Sequence, residues 1–171
     1  MAEGQPVLFA RVWRLVSSPE DVPALRPVSG PPPLFPEQPA PPMAGAFAGG
    51  YIEATEWRFR EGESWDSRGP GAGWARPRIP LIAGEAGSPL TRALIVADSS
   101  WAVGFELDYT TRLVMNTDLT VSLHRDPASE WMCVRTAWAA SPRGSGLAAG
   151  QLDDEHGDCG RILQTILIAR R

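Results

Sequence analysis

The pattern of apolar and polar positions changes at about residue 50, from an irregular one to a regular one. After that point, short segments rich in β-branched and aromatic residues alternate with Gly, Pro and Asp, which predicts strands joined by turns. One apolar segment, residues 88–104, lacks this alternation and predicts a helix instead. The predicted strands are residues 51–60, 73–82, 112–124, 130–140, 145–152 and 160–169.

The segment from Ser88 to Gly104 carries start and stop signals for a helix. Ser88 can cap the N-terminus, Pro89 suits the first helical position, and Gly104 can end the helix in the left-handed conformation. Apolar residues cover most of the helical surface, whereas an ordinary surface helix has one polar face. We therefore expect this helix to be surrounded by protein.

Four of the predicted strands follow the helix, with turn-forming residues at 126–127, 142–144 and 155–157. Short connections favour antiparallel neighbours, so these strands are predicted to form an antiparallel meander. The prolines of 73–82 suit a sheet edge or a strand end. The simplest packing that buries the helix wraps the sheet around it. The predicted fold class is therefore α+β, a hotdog fold with one long central helix.

The N-terminal part of the chain is irregular and rich in proline. Residues 7–16 predict an isolated strand, and ten prolines fall between Pro19 and Pro42. Proline fixes φ and donates no backbone hydrogen bond, so this segment predicts an extended linker. The alternative is a docking motif for an SH3-type domain. The predicted division is a separate strand at 1–18, a linker at 19–50 and a hotdog domain at 51–171.

Composition excludes several classes of function. The 171 residues carry a net charge of −4, and all 16 basic residues are arginines scattered along the chain, so binding to nucleic acid or to an anionic membrane is not expected. No apolar run approaches the roughly 20 residues that cross a bilayer. No secretory signal is recognisable, so a cytoplasmic location is expected. The two cysteines and two histidines match no metal-ligand spacing, and no metal is expected.

Three polar residues conflict with their predicted surroundings. Asp98 lies at the margin of the apolar stripe of the helix, so it would lose hydration and need a donor partner. Gln164 lies in a strand that is apolar on both faces. Asn116 is the only asparagine of the chain and lies inside a strand, where asparagine is disfavoured. Structural explanations remain open: Asp98 could bind a backbone amide, and Gln164 a neighbouring backbone.

Three segments resemble a known family: VMNTDLTVSLHRDPASEWMCV (114–134), SPLTRALIVADSSWAVG (88–104) and DEHGDCGRILQTILI (154–168). They are similar to the C-terminal repeat of the acyl-CoA thioesterase II family, whose members are double-hotdog proteins. The resemblance covers residues 51–169. The leading strand resembles the last strand of the family's first repeat, and the proline-rich segment resembles the linker between repeats. The resemblance therefore implies that most of a first repeat is absent from this sequence.

The resemblance implies a catalytic site at Asp98, Asn116 and Gln164. In the family, an aspartate on the helix, a hydroxyl residue on the next strand and a glutamine on the last strand bind one water molecule, which attacks the thioester. Here Asn116 occupies the hydroxyl position; it can hold the water but cannot relay a proton. Asp98 would act as general base, with a backbone N–H stabilising the oxyanion. CoA is part of the substrate, and no cofactor is expected.

The sequence leaves two alternatives open. The chain could be a non-catalytic or truncated hotdog subunit that needs a partner chain, pairing through its sheet as a homodimer or with a separate chain. A hotdog hydratase would need a helix histidine, and His124 and His156 lie elsewhere. Arg125 and Arg143 are basic residues near strand ends that could contact CoA phosphates. One or two of the seven tryptophans could line an acyl channel.

Overall fold

A computed structural model describes residues 8–15, 30–41 and 49–171. In the last of these ranges an antiparallel sheet curls around a helix. The elements are α1 (Tyr51–Ala54), β1 (Thr55–Phe59), β2 (Gly71–Pro77), α2 (Pro89–Asp98), a 3₁₀ turn (Ser99–Trp101), β3 (Arg112–Asn116), β4 (Thr120–Leu123), β5 (Met132–Ala140), β6 (Ser145–Asp154) and β7 (Gly157–Arg170). The predicted α+β fold, with an antiparallel sheet around a helix, is confirmed.

The order of strands in the sheet is β1-β2-β5-β6-β7-β3, and β4 also pairs with β7. The predicted meander is confirmed for β5, β6 and β7, which pair in chain order, but it is wrong for the strand before them. The predicted strand 112–124 is broken at residues 117–119, and both halves pair with β7 rather than with β5. Three strand spacings, about 14 Å, separate β4 from β5. The eight residues 124–131 can span more than that distance, so a short connection did not require neighbouring strands.

Arg125 holds this connection against the turn between β6 and β7. Its guanidinium binds both carboxylate oxygens of Asp154, at 2.6 and 2.9 Å, and the carbonyl of Gly157 at 2.8 Å. Asp154 also accepts hydrogen bonds from the backbone N–H groups of Ala128 and His156. Burial alone would raise the pKa of Asp154, but Arg125 and these amides hold it well below its usual range. The loop is thereby fixed across the ends of β6 and β7.

Helix α2 is shorter and more open than predicted. The side chain of Ser88 accepts a hydrogen bond from the Thr91 N–H, and Pro89 begins the helix, as the sequence indicated. The α-helix spans ten residues and ends at Asp98, where the 3₁₀ turn continues it. Leu90 and Leu94 remain about two-fifths exposed, at 40% and 42%, so the expectation of protein on every side is wrong. Its buried face, Ala93, Val96 and Ala97, packs against Ala75, Met132, Val134, Leu152 and Ile162.

Other predicted boundaries also change. Residues 51–54 form a helical turn before β1, and the predicted strand 73–82 ends at Pro77, where its prolines begin. Residues 8–15 form no strand, and Phe9 and Trp13 are highly exposed. A strand is stable only beside a hydrogen-bonding neighbour, and no described strand pairs with this segment. The predictions for residues 1–7, 16–29 and 42–48 lie outside the described residues.

The described part of the proline-rich linker is not a free spacer. Residues 30–37 contact the outer surface of β1, β2 and β5, the surface that faces away from α2, whereas Ala40 bonds to β1 and packs against the main core. Buried residues therefore follow one another without alternation in β2 and at the start of β5. No helix in the described parts of the chain is long and apolar enough to cross a membrane.

Gly104 provides a test of the close packing beyond the 3₁₀ turn. Its φ is +80°, and an added Cβ would lie 2.8 Å from the Gly71 nitrogen and the Thr136 carbonyl oxygen. Gly104→Ala should lower the free energy of unfolding by about 2–4 kcal/mol, because strain and a backbone clash combine. Gly84→Ala is the matched control, since Gly84 has φ +83° but no neighbour within 4 Å; it should cost about 1 kcal/mol. Equal losses in urea unfolding would contradict the close approach.

Candidate active site

The three predicted site residues come together where α2 ends. Asp98 is the last residue of α2, Asn116 the last of β3, and Gln164 lies within β7. Asn116 lies opposite Ile166 in the sheet, and Ile166 is on the same face of β7 as Gln164. The side chains of Asn116 and Gln164 therefore both lie on the face of the sheet that packs against the helix. Asn116 Nδ2 donates to Asp98 Oδ1 at 2.9 Å, and Gln164 Nε2 lies 3.4 Å from the same oxygen. The predicted cluster therefore exists as a geometric unit.

The amide of Gln164 is fully buried and fixed at both ends. Its Oε1 accepts hydrogen bonds from Ser100 Oγ at 2.6 Å and from the Trp101 N–H at 3.1 Å. Its Nε2 donates to the backbone carbonyl of Asp98 at 3.2 Å. Because an amide has one acceptor and one donor side, the donors at Oε1 orient Nε2 towards Asp98. Gln164 thus joins the sheet to the helix end.

Asp98 is more exposed than the sequence suggested. Asp98 is an exposed residue of α2, whereas Gln164 behind it is fully buried. The expectation of a dehydrated carboxylate is therefore wrong, and the expectation of dedicated donors is met by the two side-chain amides. Asp98 presents its carboxylate to an open cleft rather than to the core.

That cleft has a volume of about 460 Å³ and a mainly apolar lining. Asp98 and Asn116 form part of its wall, whereas Gln164 supports Asp98 from behind. The other lining residues are Gly49, Tyr51, Ile52, Trp65, Ser99, Trp101, Ala102, Phe105 and Tyr109. Two of the seven tryptophans thus line the cleft. A carboxylate and an amide in an otherwise apolar cleft are typical of a ligand site.

Tyr51, Ser99 and Ser100 are site residues that the sequence analysis missed. Ser99 Oγ donates to the Tyr51 hydroxyl at 2.7 Å, and Tyr51 donates to the carbonyl of Ile95 at 3.2 Å. Burial raises the pKa of Tyr51, which stays a neutral phenol at neutral pH. The serines directly follow Asp98 in the sequence, and this proximity was the available signal.

Other polar candidates have structural roles. Asp118 accepts hydrogen bonds from the backbone N–H and the hydroxyl of Thr165, at 2.7 and 2.9 Å, and so holds the break between β3 and β4 against β7. Arg125, a candidate CoA contact, is bound by Asp154. Arg143 is exposed.

The two cysteines are poor candidates for a nucleophile. Both thiols are buried and unpaired. Burial raises the pKa of Cys159 to about 12 and that of Cys133 further still, so both remain protonated at neutral pH. Across residues 8–15, 30–41 and 49–171, no cluster of three or more His, Cys, Asp and Glu side chains is arranged to hold a metal ion.

Comparison with known proteins identifies the family. The model of the acyl-CoA thioesterase C-terminal domain matches residues 19–168. The chain belongs to this family. A comparison with curated protein sequences finds no match.

Two solved structures share the hotdog fold. Acyl-CoA thioesterase II TesB2 from Mycobacterium marinum is 18% identical with a TM-score of 0.50, over 80% of this chain and 58% of that one. A conserved protein of unknown function with a hot dog fold from Alicyclobacillus acidocaldarius is 14% identical with a TM-score of 0.52, over 85% and 58%. The chain thus spans less than two thirds of the length of either protein.

Ser100→Ala tests whether the Gln164 amide depends on the helix end. The variant leaves Gln164 Oε1 with one donor in a fully buried position, so the free energy of unfolding should fall by about 1–3 kcal/mol. Ser122→Ala, at an exposed position of β4, should change it by less than about 0.5 kcal/mol. In a Gln164→Leu background the effect of Ser100→Ala should shrink. An undiminished loss in urea unfolding would show that Ser100 acts independently of Gln164.

Proposed function

We propose that this protein hydrolyses acyl-CoA thioesters to the free acid and CoA by direct attack of water. The observation that carries the proposal is the cluster of Asp98, Asn116 and Gln164 at an apolar cleft. Membership of the acyl-CoA thioesterase family supports thioester hydrolysis as the class of reaction. The cleft offers apolar surface for an acyl group and a carboxylate for activating water.

Asp98 is proposed as the general base. Its Oδ1 accepts hydrogen bonds from the side-chain amides of Asn116 and Gln164, whereas Oδ2 makes no hydrogen bond with any described residue. Oδ2 can therefore take a proton from a water molecule in the cleft. The two amides fix the carboxylate, and the Asn116 amide can also donate a hydrogen bond to that water. Asn116 orients the water and takes no part in proton transfer.

The reaction then proceeds in two balanced steps. As water attacks the thioester carbon, a C–O bond forms, the proton passes to Asp98 and negative charge develops on the carbonyl oxygen, where a backbone N–H stabilises it. When the tetrahedral intermediate collapses, the C–S bond breaks and the departing CoA sulfur receives the proton from Asp98. Because water attacks directly, the proposed mechanism forms no acyl-enzyme. It requires no metal or cofactor, since a thioester carbonyl is already electrophilic.

Asp98→Asn tests the general base. The variant keeps the shape of the side chain but cannot accept the proton, so turnover of acyl-CoA should fall about 10²- to 10⁴-fold. Release of CoA thiol from a panel of acyl-CoAs measures this loss. Asp126→Asn, which changes an exposed carboxylate outside the cleft, should retain wild-type turnover. Unchanged turnover in Asp98→Asn would refute the role of Asp98.

A second candidate function, that of a subunit which depends on a partner, is favoured by one apolar surface. Five side chains on the outer face of β3, β6 and β7 are 39–48% exposed: Leu113, Met115, Leu147, Leu163 and Leu167. Met115 and Leu167 lie directly opposite each other, and all five side chains share one face of the sheet, here called the patch. The patch borders β3, the last strand in the sheet order. We propose that the chain pairs through this patch, as a homodimer or with a separate hotdog chain.

Light scattering coupled to size exclusion tests the pairing. The wild-type chain should elute as a dimer, and Leu167→Glu should convert it to a monomer because the charge would be buried at the contact. Leu81→Glu is the matched control at an exposed loop leucine, 68% exposed, and should remain dimeric. A wild-type monomer with full thioesterase activity would refute the need for a partner.

A further inference from the structure

The outer face of β1, β2 and β5 carries a small apolar cluster separate from the main core. Ala72, Trp74, Trp131 and Cys133 form this cluster, and all four are buried. Residues 30–37, here called the strap, lie over it. The strap contacts the sheet through one aromatic side chain and several backbone carbonyls, and such contacts can recognise a particular peptide sequence.

Phe35 is the anchor of the strap. Its ring meets Trp74 and Trp131 edge to face, with centroids 5.3 and 4.8 Å away. The guanidinium of Arg58 lies 5.0 Å from the centre of the Phe35 ring. Phe35 is 37% exposed, whereas the adjacent Leu34 is 92% exposed. The sheet therefore selects one of two neighbouring apolar residues.

The strap backbone is held through its carbonyl groups. Arg135 donates to the carbonyls of Gly30 and Pro31, and the Trp74 indole N–H donates to that of Pro33 at 3.3 Å. Arg58 donates to the carbonyls of Pro36 and Glu37, at 3.1 and 3.0 Å. Proline lacks a backbone donor, so a proline-rich segment offers mainly acceptors. The sheet supplies the matching donors.

These donors are held in place by contacts within the sheet. Glu56 binds Arg58 at 2.9 Å and Arg76 at 3.0 Å. Both guanidinium groups also lie over the Trp131 ring, 4.7 and 4.8 Å from its centre. Arg135 is held by the fully buried carboxylate of Asp153. A surface whose donors are already oriented binds a peptide with little further ordering cost.

Aromatic side chains and a tryptophan N–H that hold an extended proline-rich segment are the features of polyproline recognition. We propose that the outer face of β1, β2 and β5 is a binding site for proline-rich peptides with an aromatic anchor, and that residues 30–37 are its ligand, held within the same chain. This site is independent of the cleft at Asp98. A tethered ligand has an effective concentration in the millimolar range, so it excludes the same peptide added from solution.

The first test compares Phe35→Ala with Leu34→Ala in the full chain. Cleavage after Glu37 by a glutamate-specific protease, followed by mass spectrometry, reports release of the strap. Phe35→Ala should speed this cleavage about 10- to 100-fold, because it removes the aromatic anchor and its two ring contacts. Leu34→Ala should leave the rate at that of the wild type.

The second test adds a labelled peptide, GPPPLFPEQPAP, that reproduces residues 30–41. Fluorescence anisotropy should show saturable binding to the Phe35→Ala chain. Binding to the wild type and to Leu34→Ala should be at least tenfold weaker, because their own straps occupy the site. A peptide with alanine in place of the phenylalanine should not bind the Phe35→Ala chain.

Two results would overturn the proposal. One is equal behaviour of Phe35→Ala and Leu34→Ala in both tests, which would make the strap a passive covering. The other is a Phe35→Ala chain that ignores the peptide but gains a new dimer in light scattering, which would assign this face to a second copy of the chain.

Discussion

A buried amide must find hydrogen-bond partners inside the protein, and for Gln164 all of them lie at the end of α2. The rest of the site depends on this constraint. The 3₁₀ turn after Asp98 brings the Ser100 hydroxyl and the Trp101 N–H to one side of the amide, and the other side then faces Asp98. The end of the helix and the position of the carboxylate are therefore held by the same few hydrogen bonds.

The same arrangement explains why a carboxylate can stand at an apolar cleft. Asp98 is solvated on one side and bonded to two amides on the other, so its charge is not left uncompensated. Asn116 reaches it because β3 pairs with β7 only two residues from Gln164. The site is thus built on strands and a helix end, which hold geometry more rigidly than loops do.

The grouping of the site residues was easier to predict from the sequence than the order of the strands in the sheet. Asp98, Asn116 and Gln164 conflicted with their local patterns, and such conflicts identify residues with specific partners. Ser88 and Pro89 likewise located the start of α2. Strand order was not predictable, because the connection after β4 is long enough to reach two different neighbours and the choice depends on the Arg125–Asp154 pair. The break at residues 117–119 also depends on a tertiary contact, that of Asp118 with Thr165. Local patterns carry no information about such distant partners.

The strap also determines how many sheet surfaces of the protein remain open. A sheet with two uncovered apolar regions could join copies end to end without limit, whereas a sheet with one can form only a closed pair about a two-fold axis. Residues 30–37 cover the part of the outer face formed by β1, β2 and β5, and the Ala40 N–H donates to the carbonyl of Trp57 on β1. The proline-rich segment thereby covers one apolar region of the sheet and leaves the patch on β3, β6 and β7 open for pairing.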